Sequence, residues 1–113
     1  MPFLIDSNVL IDVSRGNSAA IQYVDDLSEP WVLSQVTALK LIVGARDKRD
    51  LVVIDGFLSL YSVVPLSEGI GTRAYGLLKS YAKSHGLHVF DSLIAATAIE
   101  NAFTLVTLNR KHY

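Results

Sequence analysis

Four short apolar runs divide the chain, and segments with helical spacing lie between them. The runs are Phe3 to Ile5, Trp31 to Leu33, Tyr61 to Val64 and Thr104 to Thr107. Each has four or fewer residues, mostly branched or aromatic, as in strands that are buried on both faces. The pattern therefore predicts four short, buried strands.

The segments between the runs carry apolar residues three and four positions apart, a spacing typical of helices. The predicted helices are Val9 to Arg15, Ser18 to Leu27, Gln35 to Arg46, Lys48 to Leu58, Glu68 to Lys83 and Ser92 to Ala102. Ser7-Asn8 and Ser34 stand where N-caps are expected, and Gly86 follows a long helix. Strands that alternate with helices predict an α/β fold, with a central parallel sheet of about four or five strands covered on both faces.

The third predicted helix is apolar almost all round, so we expect it to be buried. Lys40 is the only charged residue between Gln35 and Ala45. Because burying a lone charge is unfavourable, its ammonium must reach water or a counter-ion. Two placements stay open: the side chain extends to the surface, or it pairs with Asp6 or Asp91.

Composition narrows the function classes. A chain of 113 residues predicts a single domain spanning 1–113, and its 50% apolar content suggests that a partner covers some surface. A net charge of -1 excludes coating of nucleic acid by overall charge alone. The absence of cysteine, of an export signal and of a long apolar stretch predicts a cytoplasmic protein.

Two aspartates stand at the ends of apolar segments. Asp6 directly follows the first run, and Asp91 precedes the segment Ser92 to Ile99. Ligands of open parallel sheets bind beyond the carboxyl ends of the strands, where Asn109 also follows the last run. Gathered carboxylates repel each other unless a cation neutralises them, and their oxygens suit Mg2+ or Mn2+. Such a site would activate water for attack on a phosphodiester.

Each acid also has a structural interpretation. Asp6, Ser7 and Asn8 would serve as an N-cap cluster, since short side chains with oxygens satisfy the free N–H groups of a helix start. Asp91 would cap the following helix, stabilised by the helix dipole. For Asp91 alone the cap is the better interpretation, and the two acids together favour the metal site.

Four stretches resemble the PIN-domain ribonucleases and, within them, the VapC toxins of toxin-antitoxin pairs. They are Leu4 to Ile11, Ser34 to Ala45, Phe90 to Ala98 and Leu105 to Tyr113. Their order and spacing from one end of the chain to the other make the combined match specific. The resemblance implies a PIN-like fold and a Mg2+- or Mn2+-dependent endoribonuclease. It also implies neutralisation by a cognate VapB-like antitoxin, and commonly a homodimer.

The family's pattern has acids at the positions of Asp6 and Asp91, a glutamate at that of Lys40, and often a fourth acid near Asn109 or His112. The resemblance thus makes Asp6, Lys40, Asp91 and Asn109 the catalytic positions and the two aspartates the metal ligands. Lysine in place of glutamate changes the charge by two units. Two unit charges about 4 Å apart interact by about 4 kcal/mol at an effective dielectric constant near 20. We therefore expect weak metal binding and poor RNA cleavage.

Candidate RNA contacts are hydroxyl, amide and basic groups around this site. They are Ser7, Asn8, Thr107, Arg110 and His112, with Lys111 and the cluster Arg46, Lys48 and Arg49, for which ordinary surface charge is the alternative. The aromatic side chains Trp31 and Tyr75 would stack on bases, but their positions favour the core.

Other functions fit less well. A phosphoaspartate receiver would need an aspartate after the third strand, where Val63-Val64-Pro65 stands, and a haloacid-dehalogenase-type phosphatase would need an acid at Asn8. The remaining rival is a catalytically dead PIN-fold module that binds antitoxin or RNA.

Overall fold

A computed structural model describes residues 2–28 and 30–107. These residues form four strands and six helices: β1 (Phe3–Ile5), α1 (Ser7–Ser14), α2 (Ser18–Asp25), β2 (Trp31–Ser34), α3 (Gln35–Val43), α4 (Lys48–Leu58), β3 (Val63–Val64), α5 (Glu68–His85), α6 (Val89–Glu100) and β4 (Thr104–Val106). The predicted α/β class is confirmed.

The four strands form one parallel sheet in the order β3-β2-β1-β4. In the register of the sheet Leu4 lies beside Val32 of β2, and Ile5 lies beside Val106 of β4. The first and last strands of the described chain are therefore neighbours. Their carboxyl ends meet at one edge of the sheet, as a site shared by the two ends of the chain requires.

Alternate residues of β1 point to opposite faces of the sheet, and each face has its own core cluster. Ile5 belongs to the cluster that includes Leu10, Leu33 and Leu41, whereas Leu4 belongs to the one that includes Val36, Ile94 and Ala98. Helix α3 contributes to both clusters, through Leu41 and Val36. This helix therefore reaches from one face of the sheet to the other.

Two predicted helix starts are wrong, and both errors concern candidate site residues. The N-cap of α1 is Asp6, so Ser7 and Asn8 are the first residues of the helix rather than its caps. The N-cap of α6 is His88, which places Asp91 in the first turn instead of at the cap. The helix dipole still favours a carboxylate at that place.

The caps predicted at Ser34 and Gly86 are confirmed. The Ser34 hydroxyl accepts a hydrogen bond from Val36 N at 3.1 Å. Gly86 ends α5 with a φ of 66°, a left-handed conformation that glycine adopts without strain. The bounds of α4 agree with the prediction, while other element ends differ by a few residues.

Burial of α3 on all sides was a wrong prediction. The helix ends at Val43, and the side chains of Leu39 and Val43 are 52% and 84% exposed. The core prediction is also wrong for Tyr75, which is 67% exposed on α5. Trp31 is half-buried and packs on Tyr61, with ring centroids 4.3 Å apart. None of the helices formed by residues 2–28 and 30–107 combines the length and apolar character that crossing a bilayer needs.

Candidate active site at the carboxyl edge of the sheet

Asp6 lies directly beyond β1 and is 2% exposed. Its Oδ1 accepts hydrogen bonds from Ser7 N at 2.7 Å and from Ser7 Oγ at 3.4 Å. Its Oδ2 accepts a hydrogen bond from Thr107 Oγ1 at 2.6 Å. A buried carboxylate is strongly destabilised without such donors, so these bonds hold both of its oxygens in a defined orientation.

The pairing of β1 with β4 explains why Asp6 meets Thr107. Because Ile5 lies beside Val106, the next residue of each strand falls at the same level. The backbone extends the ladder by one bond, from Asp6 N to Val106 O at 2.9 Å. The hydrogen bond between the two side chains thus joins positions 101 apart in the sequence.

Asp91 lies in the first turn of α6. The helix leads into β4 through the short segment 101–103, so its C-terminus lies near the start of that strand. A helix of 12 residues is about 18 Å long, so Asp91 lies far from the end of α6 that leads into β4. Phe90, the residue before Asp91, packs against the cluster of Leu4 and Val36.

Lys40 contacts the first turn of α6. Its Nζ lies 4.5 Å from the centroid of the Phe90 ring, a cation–π arrangement, and its side chain is exposed. The ion pairs between described residues are Arg46–Asp50 and Arg73–Glu100. Of the two placements open for Lys40, the structure thus has the one that reaches the surface.

The donor atoms at this edge suit a hard divalent cation only in part. Asp6 Oδ2 accepts one hydrogen bond and keeps a lone pair, whereas Oδ1 already accepts two, and Asp91 would have to supply a second carboxylate. Within the described ranges no three acidic, histidine or cysteine side chains gather closely enough to share a metal ion. Thr37 Oγ1 is buried without a hydrogen-bond partner among the same residues, which offers a further oxygen.

The remaining candidate residues divide into three groups. Ser7 is 2% exposed and its hydroxyl is directed to Asp6, whereas Asn8 is exposed at the start of α1. Thr107 is half-buried and donates to Asp6. Asn109, Arg110, Lys111 and His112 lie outside the described residues.

A groove of about 680 Å³ runs between α1, α3 and α4, and no sequence pattern indicated it. The charged residues of its lining are Arg15, Lys40, Arg46, Asp47, Arg49 and Asp50. The backbone N–H of Arg46 donates to Asp50 Oδ2 at 2.9 Å, and its guanidinium lies 3.4 Å from the same oxygen. That N–H, with the guanidinium, holds the pKa of Asp50 below its ordinary value.

Residues 3–113 match the family model described as the PIN domain. The chain belongs to the PIN-domain family. This PIN domain is 35% identical over 115 residues to Ribonuclease VapC10 of Mycobacterium tuberculosis, covering 97% of the chain and 84% of the relative. It is 32% identical over 114 residues to Ribonuclease VapC19 of the same organism, covering 97% and 90%. The predicted resemblance to the VapC toxins is confirmed.

A solved structure supports the same assignment. The PIN domain superposes on a chain of a toxin-antitoxin complex from Klebsiella pneumoniae with a TM-score of 0.80 and 26% sequence identity. The match covers 96% of this chain and 88% of that chain. Sequence and fold thus agree over nearly the whole chain.

Proposed function

We propose that this PIN domain is a Mg2+- or Mn2+-dependent endoribonuclease toxin, impaired by Lys40 and neutralised by a VapB-like antitoxin. The observation that carries the proposal is the buried Asp6 carboxylate, whose two oxygens are fixed at the carboxyl edge of the sheet. Two relatives that carry the name ribonuclease, and a toxin-antitoxin complex of the same fold, support it.

In this proposal Asp6 and Asp91 hold the cation, and Thr107 and the N–H of Ser7 keep Asp6 in position. When bound, the cation would activate water and stabilise the charge that develops on the scissile phosphate. Burial of Asp6 limits competing hydrogen bonds from bulk water, so its orientation depends on the donors of the chain itself.

The RNA would lie along the exposed side of the same edge. Asn8 is exposed immediately beyond Asp6, and Arg46 and Arg49 of the groove, which is lined by the C-terminal parts of α1 and α3, would contact phosphates farther along the RNA. Lys48 is a further surface cation nearby. We extend the proposal to Asn109 as a fourth site residue and to Arg110 and His112 as RNA contacts, although these three lie outside the described residues.

Lys40 acts against this chemistry through its charge. Its ammonium lies over the ring of the residue that precedes Asp91. We propose that this positive charge also acts on the two carboxylates and reduces the attraction that they exert on a cation. The parent chain should therefore bind Mn2+ weakly and cleave RNA slowly.

The first experiment compares RNA cleavage and calorimetric Mn2+ titration of the parent chain and Lys40→Glu. We expect at least about a tenfold faster cleavage and tighter binding in the variant, because a tenfold ratio needs only about 1.4 kcal/mol. Lys79→Glu is the matched control, since Lys79 is also exposed and lies 5.4 Å from the ring centroid of Tyr75 on α5. If Lys40→Glu cleaves RNA no better than the parent, this account of the lysine is wrong.

The alternative function is a catalytically dead PIN-fold module that binds antitoxin or RNA. The cation at position 40 and the exposed apolar side chains of Leu39 and Val43 favour it, because a partner would cover such a surface. Inactivity of both the parent and Lys40→Glu would support this alternative. A homodimer and a cytoplasmic location belong to either proposal.

A further inference from the structure

The hydroxyl of Thr37 differs from the other buried side-chain polar groups of the described residues because it makes no hydrogen bond. The residue is 0% exposed, and its Oγ1 has no hydrogen-bond partner. Thr97 is equally buried, but its Oγ1 donates to Leu93 O at 2.7 Å, and Ser92 Oγ likewise donates to Val89 O at 2.6 Å. Such bonds to a carbonyl three or four residues earlier are the usual solution for hydroxyls within helices.

Thr37 lies at the start of its helix and does not use this solution. It is the third residue of α3, so the carbonyls three and four residues earlier belong to the N-cap Ser34 and to Leu33 in β2. Each of these carbonyls has a second lone pair, as the carbonyls that accept from Thr97 and Ser92 have, yet Thr37 Oγ1 bonds to neither. Because a buried hydroxyl without a partner is unfavourable, this one is available to a bound group.

The sheet register shows where the first turn of α3 begins. Leu4 lies beside Val32, so Ser34 at the end of β2 falls at the level of Asp6 at the end of β1. Helix α3 starts from Ser34, and Thr37 lies in its first turn. The hydroxyl therefore belongs to the same edge of the sheet as the Asp6 carboxylate.

The packing of α3 shows which side Thr37 presents to the sheet. Val36 packs in the cluster of Leu4 on one face of the sheet, and Leu41 packs in the cluster of Ile5 on the other. Thr37 lies between these two contacts on the buried side of the helix. Its side chain is therefore on the buried side of α3, in the turn that starts at the carboxyl edge of the sheet.

We propose that Thr37 supplies a third oxygen to the cation site of Asp6 and Asp91. The inference rests on the proposed function, and it assigns a ligand group that the acid pattern of the sequence did not indicate. Hard divalent cations take neutral oxygens beside carboxylates, and two aspartates alone leave most of an octahedral shell to other donors. The Thr37 hydroxyl would be a neutral oxygen ligand beside the two carboxylates, whichever residue stands at position 40.

The test uses Thr37→Val, which removes the hydroxyl at nearly constant shape, and Thr37→Ser, which keeps it. Both are made in the Lys40→Glu chain, and Mn2+ affinity is measured by calorimetric titration. We expect the Kd to rise by about tenfold in Thr37→Val, the size typical for loss of a supporting group at a metal site, and to change little in Thr37→Ser. Thr97→Val is the matched control, because its buried hydroxyl already has a partner in the chain.

Thermal melting in EDTA separates a metal role from a structural one. Thr37→Val should melt no lower than its Lys40→Glu parent, since it loses no hydrogen bond within the chain, whereas Thr97→Val should melt lower. If Thr37→Val melts as low as the control, or unfolds, the hydroxyl has a structural partner and the inference fails.

The other outcomes are equally decisive. An unchanged Mn2+ affinity in Thr37→Val overturns the inference, while RNA cleavage by Lys40→Glu would leave the nuclease proposal intact. Absence of Mn2+ binding in Lys40→Glu also overturns the inference. In that case the cleavage assay alone decides whether the proposed function stands.

Discussion

The two halves of the candidate site are built differently. In the strand half, Asp6 is 2% exposed and its oxygens meet donors at 2.6 and 2.7 Å. In the helix half, Lys40 is exposed and its ammonium lies 4.5 Å from the centre of the Phe90 ring. The carboxylate is therefore held by the fold, whereas the ammonium lies at its surface.

This difference shows that the fold is not built around the lysine. A structural counter-ion for Asp6 would be buried and hydrogen-bonded to it, because a buried charge needs such a partner. The donors to Asp6 are instead neutral groups of Ser7 and Thr107. A substitution at position 40 should thus change the chemistry of the site more than its stability, while substitutions in the strand half should change both.

The largest effect on stability is expected from Thr107→Val. The variant leaves Asp6 Oδ2 without its donor in a buried place, and hydrogen bonds to charged groups contribute about 1.5–3 kcal/mol. We expect the free energy of unfolding in urea to fall by about 2 kcal/mol. In the Lys40→Glu background, RNA cleavage should fall as well, because the carboxylate loses its orientation.

Thr104→Val is the control for this variant. Thr104 is exposed and begins β4, whereas Thr107 directly follows the end of that strand. The comparison between the two halves would lose its basis if both valine variants unfolded at the same urea concentration.

The sequence predicted those parts of the site that depend on order along the chain. Asp6 follows a short apolar run, and a parallel sheet places the ends of such runs at one edge. The bounds of α4 were also predictable, because the apolar residues from Lys48 to Leu58 recur at helical spacing. These features need only local patterns and the general rules of α/β folds.

The contacts that decide the chemistry depend on register and packing between distant segments. The bond from Thr107 to Asp6 requires β4 to pair with β1 at one particular register. The missing partner of Thr37 is visible only when all neighbouring carbonyls are placed. The ring of Phe90 beneath Lys40 likewise depends on how α6 packs on α3. None of these three contacts has a signal in a single sequence.

A smaller effect is expected in the helix half, from Phe90→Leu. Exposed cation–π contacts contribute about 0.5–1 kcal/mol. A double-mutant cycle of Phe90→Leu with Lys40→Met should give a coupling energy of about 0.5 kcal/mol in urea unfolding. The corresponding cycle of Tyr75→Leu with Lys79→Met serves as control, because its ammonium lies farther from the ring, at 5.4 Å. If this coupling energy exceeded the loss of about 2 kcal/mol expected for Thr107→Val, the contacts of the helix half would be stronger than those of the strand half, and the comparison would be reversed.

The smallest effect is expected at the exposed corner of the groove, where Arg46 lies close to Asp50. The hydrogen bond from the Arg46 N–H, with its guanidinium, lowers the pKa of Asp50 in the folded chain. The sign follows from linkage: the contribution to stability is present above the ordinary carboxyl range and is lost as the pH falls below about 4. The change in melting temperature between pH 6 and pH 3 should therefore be slightly smaller in Asp50→Asn than in the parent.

Asp26→Asn is the control, because the exposed Asp26 accepts its hydrogen bond from the neutral Gln22 side chain. If the two asparagine variants showed the same pH dependence, the corner would contribute nothing through its charge.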